Sequence, residues 1–375
     1  RTQTLPTMPL GTATDLFRRL RGGARGQRVL LITDPGPDPD DVKALLVLAV
    51  LHMQKEVALV GVVCNGGCQP RARARLARCV LNNLGVDDVP VAVGSEGKPY
   101  GPQPHEYRLA GYDAVDDASL VPGGVLIARV LNESPARGLT LVCISSLRDF
   151  ADAIVQSPAL VQSKVSFVSI MGGLDPSKEA PFGYVPDTSV NNEFDPAAAN
   201  TVYDWCFAHG VPMAVVSRFA VPVLPMRLAK SFAERIDCPV MRYLADAQFL
   251  GLEGLWAKLC EGKLPARCSK QWFFETFCGV PAADFEARGL ASLGAEADIR
   301  PRLNGFVKPY DVVALMVSLP LGAHLVSPKA LRVVNGTAHA LLLSKEHAIS
   351  PVPVVELLRD VYHSIVATTE RVRAR

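Results

Sequence analysis

The sequence predicts an α/β protein in which a mostly parallel central sheet is flanked by helices, with a peripheral helical elaboration. From Arg28 onward, short apolar segments typical of buried strands alternate with segments that carry apolar residues at helical spacing. Such alternation implies right-handed crossovers between parallel strands and helices on both faces of the sheet. The chain has 375 residues, 49% of them hydrophobic, which is enough for a large core in one domain or two smaller ones.

Most of the predicted sheet lies in the first half of the chain. The run VLLIT at 29–33 is apolar up to its last residue, as a parallel strand covered on both faces requires. Gly85 is expected to end the second helix, because glycine commonly follows the last helical turn. Ligands bind beyond the carboxyl ends of such strands, so each loop that follows a strand is a candidate for the functional site. Strands are predicted at 29–33, 57–63, 89–94, 139–144 and 165–171, and helices at 41–52, 71–85, 125–132 and 147–156.

After Ser217 the sequence becomes more helical and richer in proline and aromatic residues, which predicts the peripheral elaboration. Within 324–344, the segments HLVS, ALRVVN and HALLLS resemble short strands that could form a hairpin, and a last helix is expected at 353–371. No internal repeat or clear linker interrupts the chain. A single domain over 28–375 is therefore favoured, preceded by a flexible N-terminal segment at 1–27 that is rich in arginine and glycine.

Composition excludes several classes of protein. The net charge of +2 gives no reason to expect a nucleic-acid partner, and no apolar run reaches the roughly 20 residues that span a bilayer, so no membrane partner is expected. Nine cysteines at irregular spacing favour buried or reduced thiols over a disulfide framework or a zinc site. The compartment is left open, with the cytoplasm favoured, and a homo-oligomer is one expectation.

Four aspartates crowd the exit of the first strand in the stretch LLITDPGPDPDDVKALL, residues 30–46. Helix capping accounts for three of them, because Asp38 could be the N-cap while Asp40 and Asp41 would suit the positive end of the helix dipole. It leaves Asp34 at the end of a buried strand, facing other carboxylates. Like charges this close raise pKa values unless a cation compensates. Calcium, which prefers carboxylate and carbonyl oxygens, is one such cation.

This stretch resembles the aspartate-rich signature of the inosine-uridine preferring nucleoside hydrolase superfamily, in a divergent DPDD form with two extra residues after Asp34. The resemblance extends from Arg28 to about Leu319. It implies a nucleoside hydrolase-like fold and hydrolysis of the N-glycosidic bond of a ribonucleoside or related ribosyl compound, so a small nucleoside-like substrate is the expected partner. The other matching segments are CNGG (64–67), LVCISSLRDF (141–150), IMGG (170–173), NNEFDPAAA (191–199) and KPYDVVAL (308–315).

The resemblance also implies a dependence on Ca²⁺. Enzymes of this superfamily hold one calcium ion that grips two ribose hydroxyls and a water molecule, and an aspartate takes a proton from that water as the base departs. On this pattern Asp34 is both a metal ligand and the catalytic base. The other implied metal ligands are Asp41, the carbonyl of Ile144 and Asp311, with Asp38 as a further candidate, and the implied substrate-binding residues are Asp40, Asn65, Asn191, Asn192 and Tyr310.

Three residues depart from the family pattern. Ile32 and Ser189 stand where acidic residues are usual, and Tyr310 replaces a histidine associated with protonating the leaving base. Tyrosine, with an ordinary pKa near 10, gives up its proton less readily at neutral pH. Two alternatives therefore stay open: a calcium- and ribosyl-binding protein that is catalytically impaired, and a non-catalytic subunit whose acidic loop only caps a helix.

Arg218 and two tryptophans are candidates outside the aspartate set. Arg218 follows an apolar run in VVSRFAVP and could bind an anion such as phosphate, with a surface ion pair as the alternative. Trp256 and Trp272 could stack on a nucleobase, although a packing role is expected for each.

Overall fold

A nine-stranded sheet organises the computed structural model, which describes residues 26–36, 38–97, 107–231, 237–264, 266–320 and 322–373. Nearly all of the predicted N-terminal segment at 1–27 thus lies outside the described residues. The strands are β1 Gln27–Thr33, β2 Val57–Cys64, β3 Val91–Val93, β4 Leu120–Pro122, β5 Leu139–Cys143, β6 Val165–Met171, β7 Leu174–Pro176, β8 Tyr184–Pro186, β9 Met213–Val216, β10 Leu224–Pro225, β11 Phe306–Val307, β12 Leu331–Val334 and β13 Thr337–Leu342.

The strand order in the large sheet is β12-β13-β9-β6-β5-β1-β2-β3-β4. Every neighbouring pair is parallel except β12 and β13, which form an antiparallel hairpin at one edge. The predicted mostly parallel sheet is confirmed. Two short antiparallel ribbons, β7 with β8 and β10 with β11, lie outside it.

Helices pack on both faces of the sheet, as predicted. The helix α10, Lys270–Phe273, continues into a π-helical turn at Phe274–Cys278. The helices are α1 Asp40–Met53, α2 Pro70–Asn83, α3 Gly123–Glu133, α4 Arg148–Gln156, α5 Pro158–Lys164, α6 Val190–Glu193, α7 Pro196–Ala208, α8 Met226–Lys230, α9 Pro239–Cys260, α10 Lys270–Phe273, α11 Ala282–Ala287, α12 Tyr310–Ser318, α13 Gly322–Leu325 and α14 Pro351–Arg373.

The central strand β1 contributes to both hydrophobic cores. Val29 and Leu31 pack with α1, α2, α12 and α14 on one face, whereas Leu30 and Ile32 pack with α3, α4 and α7 on the other. All four side chains are buried, and full burial of such a residue contributes roughly 1.5–3 kcal/mol. The end of β1 is therefore held firmly where the aspartate-rich loop begins.

The second half of the chain confirms most of its predictions. Helices α8 to α11 form the predicted helical elaboration, and β12 and β13 form the predicted hairpin. Asn335 and Gly336 both have positive φ, as a two-residue Asn-Gly hairpin turn requires. The prediction of a strand at HLVS was wrong. Gly322 N donates to Leu319 O and Val326 N donates to Gly322 O, so these backbone donors serve a local helical turn instead of a sheet.

The cysteines are reduced, as the sequence predicts. None of the nine forms a disulfide, six are buried, and Cys68 is the exposed one. In the part of the chain that the structure describes, no helix has the length and apolar character needed to cross a bilayer.

Candidate functional site

The predicted site residues gather at the carboxyl edge of the parallel sheet. Asp34 directly follows β1, Asn65 follows β2 and Ile144 follows β5. Asp40 and Asp41 open α1, whereas Asp311 lies in the first turn of α12, which packs against α1, β6 and β9. The strand order β6-β5-β1-β2 places these exits side by side.

The aspartates lie close enough to repel one another. Asp40, Asp41 and Asp311 are buried, with exposed fractions of 3%, 7% and 6%. Burial and then the charge of Asp34 raise the pKa of Asp41 to about 8. Burial raises the pKa of Asp40 to about 7, although Lys43 opposes the shift. The pKa of Asp311 is well above its ordinary value because of burial, followed by the charges of Asp41 and Asp40.

A buried arginine pairs with Asp34. Arg73 Nη1 donates to Asp34 Oδ2 at 2.6 Å, to Asp34 O at 3.0 Å and to Asn65 O at 3.1 Å. Burial opposes the charge of Arg73, yet Asp34 and Asp41 together raise its pKa. The sequence prediction missed this residue. Helical spacing could have indicated that Arg73 faces the core, because it stands three, four and seven residues before Leu76, Ala77 and Val80, which are all buried.

The other aspartates of the loop make distinct contacts. Asp41 Oδ1 accepts from Thr33 Oγ1 at 2.5 Å and from Asp34 N at 2.8 Å. Lys43 Nζ lies 3.4 Å from Asp40 Oδ1 and donates to Gln248 Oε1 at 2.8 Å. Asp38 is exposed, and its Oδ1 accepts from Asp40 N at 3.2 Å. Helix α1 begins at Asp40 with Pro39 as the N-cap residue, so Asp38 is not the N-cap.

The donor chemistry of this edge fits a hard divalent cation. Asp40 Oδ2 is buried and has no hydrogen-bond partner within the described residues. Carboxylate oxygens are the ligands that calcium prefers. Among the residues that the structure describes, however, no three acidic, histidine or cysteine side chains are arranged closely enough to hold a metal ion. The site thus supplies the charge and the donor type without an assembled ligand set. Two cationic side chains, Arg73 and Lys43, lie among the five aspartates Asp34, Asp38, Asp40, Asp41 and Asp311.

Two of the three asparagines predicted to bind the sugar are buried, and their side-chain amides form hydrogen bonds within the protein. Asn65 is wholly buried, and its Nδ2 donates to Asp149 Oδ2 at 2.8 Å and to Ser146 O at 3.0 Å. Asn192 is 2% exposed, and it donates to Gly173 O at 2.9 Å and accepts from Tyr203 Oη at 3.2 Å. Both fix the loops around the site.

Asn191 is partly exposed and bridges two strand exits. Its Nδ2 donates to Ile144 O at 3.1 Å and to Met171 O at 3.0 Å. The carbonyl predicted to bind metal therefore already accepts one hydrogen bond, which leaves it a second lone pair. Asn191 is the asparagine of the three best placed to meet a ligand.

Tyr310 lies between the aspartates and a group of cationic side chains. Burial, followed by the charges of Asp40 and Asp38, raises the pKa of Tyr310, whereas Arg218 opposes the shift. Lys308 Nζ lies 5.8 Å from the ring centroid of Tyr310. The hydroxyl therefore stays protonated at neutral pH.

The tryptophans pack inside the helical elaboration, as expected. Trp256 is 1% exposed, its Nε1 donates to Gly294 O at 3.0 Å, and its ring contacts Phe273. Trp272 meets Phe277 edge to face with ring centroids 5.4 Å apart.

Two effector structures are similar to this chain over nearly its whole length. The type III effector protein XopQ, in complex with adenosine diphosphate ribose, is 27% identical with a TM-score of 0.75, and the match covers 96% of this chain and 100% of that one. The effector protein XOO4466 is 26% identical with a TM-score of 0.75 over the same shares of both chains.

Enzymes share the fold at lower identity. The purine-preferring ribonucleoside hydrolase from Gardnerella vaginalis is 15% identical with a TM-score of 0.55, covering 91% of this chain and 99% of that one. No curated protein matches the chain significantly. The family model of the inosine-uridine preferring nucleoside hydrolases matches residues 29–255, which is more than half of the chain. The chain therefore belongs to the inosine-uridine preferring nucleoside hydrolase family.

Proposed function

We propose that this protein is a calcium-dependent hydrolase of the N-glycosidic bond of a ribonucleoside or a related ribosyl compound. The observation that carries the proposal is the convergence of Asp34, Asp40, Asp41 and Asp311 at the carboxyl edge of the sheet, where burial and then neighbouring carboxylates raise the pKa values of Asp40, Asp41 and Asp311. Membership of the family supports the reaction class.

Asp34 is the proposed general base. Its side chain is 15% exposed, more than those of Asp40 and Asp41, so it is the better placed to meet a water molecule. Asp34 accepts the proton of the attacking water while the bond from the sugar to the base breaks. The neighbouring carboxylates stabilise the positive charge that develops on the sugar. Asp34, Asp41, Asp311 and the Ile144 carbonyl are the residues that would hold calcium, whose charge would orient the ribose hydroxyls and acidify nearby water.

Tyr310, at the position associated with protonating the leaving base, is a weaker acid than histidine. Because the pKa of Tyr310 is raised, its hydroxyl can donate a hydrogen bond to the departing group but transfers a proton reluctantly. Substrates whose leaving group needs little protonation are therefore the favoured ones.

Replacement of the proposed base tests this function. The Asp34→Asn variant keeps the shape of the side chain but cannot accept the proton, so release of free base from a panel of ribonucleosides should fall about 10²–10⁴-fold. Chromatography of the products with calcium present measures the release. The matched control is Asp87→Asn, because Asp87 is exposed in the segment that leads into β3, at the opposite edge of the sheet. Undiminished release from Asp34→Asn would remove Asp34 as the base.

A second candidate is a ribosyl-binding protein that does not cleave its ligand. The pair between Arg73 and Asp34 favours it, since a buried guanidinium stabilises the ionised carboxylate and so opposes proton uptake. The similarity to an effector that binds adenosine diphosphate ribose favours it too. Calorimetry with that compound, followed by chromatography after long incubation, separates the two: binding without product supports the binder, and turnover excludes it.

A further inference from the structure

We infer that three cationic side chains beside the aspartates bind the phosphate of a phosphorylated ribosyl compound. This basic cluster consists of Arg218, Lys308 and Lys345. The inference rests on the proposed function and narrows its substrate class: the ribose hydroxyls would meet the aspartate edge while the phosphate meets the basic cluster.

Contacts between two segments build the cluster. Lys308 Nζ donates to Arg218 O at 3.0 Å, which links the segment before α12 to the loop that follows β9. Ser217 N, next to Arg218, donates to Leu342 O at 3.0 Å, so the segment that carries Lys345 three residues later lies beside the same loop. After burial, the charges of Lys345 and Arg218 lower the pKa of Lys308. Lys308 and Arg218 are half-buried and Lys345 is exposed, so the cluster opens to solvent.

The cluster lacks a carboxylate partner among the described residues. Other arginines of the chain pair with acids, as Arg300 does with Glu253 and Arg148 with Asp195. The contacts of the cluster's half-buried members are instead a backbone carbonyl and aromatic rings. Like charges held together without a counter-charge repel one another, and a bound dianion would relieve that repulsion with charge-assisted hydrogen bonds.

Aromatic rings hold the cations without neutralising them. The Arg218 guanidinium lies 4.8 Å from the ring centroid of Phe219, a residue 42% exposed, and Lys308 Nζ lies 5.8 Å from that of Tyr310. A ring face attracts a cation but carries no net charge. Both side chains are therefore positioned and remain available to an anion.

The distance from the cluster to the aspartates suits one small ligand. Lys308 and Asp311 are three residues apart, so their Cα atoms are separated by at most about 11 Å. Tyr310 stands between them in the chain, and Lys308 Nζ lies 5.8 Å from the centroid of its ring. A ribose with a phosphate attached can reach from one group to the other, whereas a neutral nucleoside leaves the cluster without a ligand.

Calorimetry on the full chain with calcium tests the inference. Adenosine 5′-monophosphate should bind about tenfold or more tightly than adenosine, and ribose 5-phosphate likewise more tightly than ribose, because only the phosphorylated compounds can accept charge-assisted hydrogen bonds from the cluster. Arg218→Gln and Lys308→Gln should each remove about tenfold of the affinity for the phosphorylated compounds and leave the affinity for adenosine unchanged. Lys55→Gln, at the opposite edge of the sheet, is the matched control. Thermal melts establish that each variant is folded.

Three outcomes overturn the inference, in distinguishable ways. Equal affinity for adenosine and its monophosphate would contradict the phosphate site but not the ribose site. An equal loss for both ligands in Arg218→Gln assigns that side chain to the sugar or the base. If none of the four compounds binds, the proposed function fails together with the inference.

Discussion

The guanidinium of Arg73 and the carboxylate of Asp34 are joined by a 2.6 Å ion pair, with the arginine side chain wholly buried. The same nitrogen donates to backbone carbonyls of Asp34 and Asn65, so it ties the exit of β1 to that of β2. A buried charge that loses its partner destabilises a fold strongly, whereas the intact pair adds little net stability. Arg73 therefore positions Asp34 and sets its charge environment.

Replacement of Arg73 by methionine should lower the free energy of unfolding by about 3 kcal/mol, since it removes the guanidinium that pairs with the Asp34 carboxylate and donates to two carbonyls. The double variant Arg73→Met with Asp34→Asn should lose less than the sum of the two single losses, because the ionised carboxylate is gone. Urea denaturation of all four proteins measures the cycle. Strict additivity would show that the two side chains do not interact in solution.

The sequence drew attention to Asp34 because four acids follow a mainly apolar strand. Asp311 was assigned only by the family resemblance, and its role as a ligand stays a prediction. Arg73 was missed because RARARLAR resembles a solvated basic helix, and only its helical spacing from buried residues shows that it faces inward. Asn65 and Asn192 were predicted from the resemblance to bind the sugar. Both are buried, so their amides form hydrogen bonds within the protein, which the sequence alone does not reveal.

The exit of β6 depends on glycine. A Cβ on Gly173 would fall 2.1 Å from Asp187 Oδ2, and Asp187 Oδ1 already accepts from Ser189 N at 2.9 Å and from Asn192 Nδ2 at 3.1 Å. The strand exit and the segment leading into α6 are thus packed directly against each other. This contact positions Asn191, which opens onto the site.

Gly173→Ala should therefore displace Asp187 and cost about 1–3 kcal/mol of stability, together with weaker ribosyl binding. Gly124→Ala is the matched control, because a Cβ there meets nothing within 4 Å and alanine favours the helix α3. Thermal melts and calorimetry with adenosine read out both effects. If Gly173→Ala were as stable as the control, Asp187 would be able to move aside without a loss of stability.

Elements were predicted best where burial dictates their composition. Strands β1, β2, β5 and β6 are covered on both faces, so apolar residues dominate their sequences and mark them as strands. The strand β4, LVP, has only three residues and is partly exposed, so its sequence cannot be told from that of a loop. HLVS has strand-like composition, but composition does not say whether a neighbouring strand is within reach.

The whole chain carries excess negative charge at one edge of its sheet, and this makes its stability depend on pH. An unfolded chain releases the proton of Asp41 near the ordinary pKa of 3.8, whereas the folded protein holds it up to about 8. Between those values the folded state binds more protons, so the contribution of Asp41 to the free energy of unfolding falls as pH rises. Calcium binding needs the ionised form and should release protons.

The Asp41→Asn variant isolates this effect. Relative to the parent without calcium, its melting temperature should rise as pH increases from about 5 to about 8, because it never ionises. Calcium should raise the melting temperature of the parent more at pH 8 than at pH 5, and that of the variant little at either. Asp38→Asn should keep the parent's response if Asp38 is not a ligand. A parent insensitive to calcium throughout would contradict the proposed metal.

Cys68 stands three residues after Asn65, on the loop that leaves β2, and it is the exposed thiol among nine. A maleimide dye would consequently react most readily at the rim of the candidate site, and replacement of the partly exposed Cys260 and Cys268 would confine the label there. Fluorescence from such a dye could follow ligands entering the rim in real time, even for a variant that releases no product.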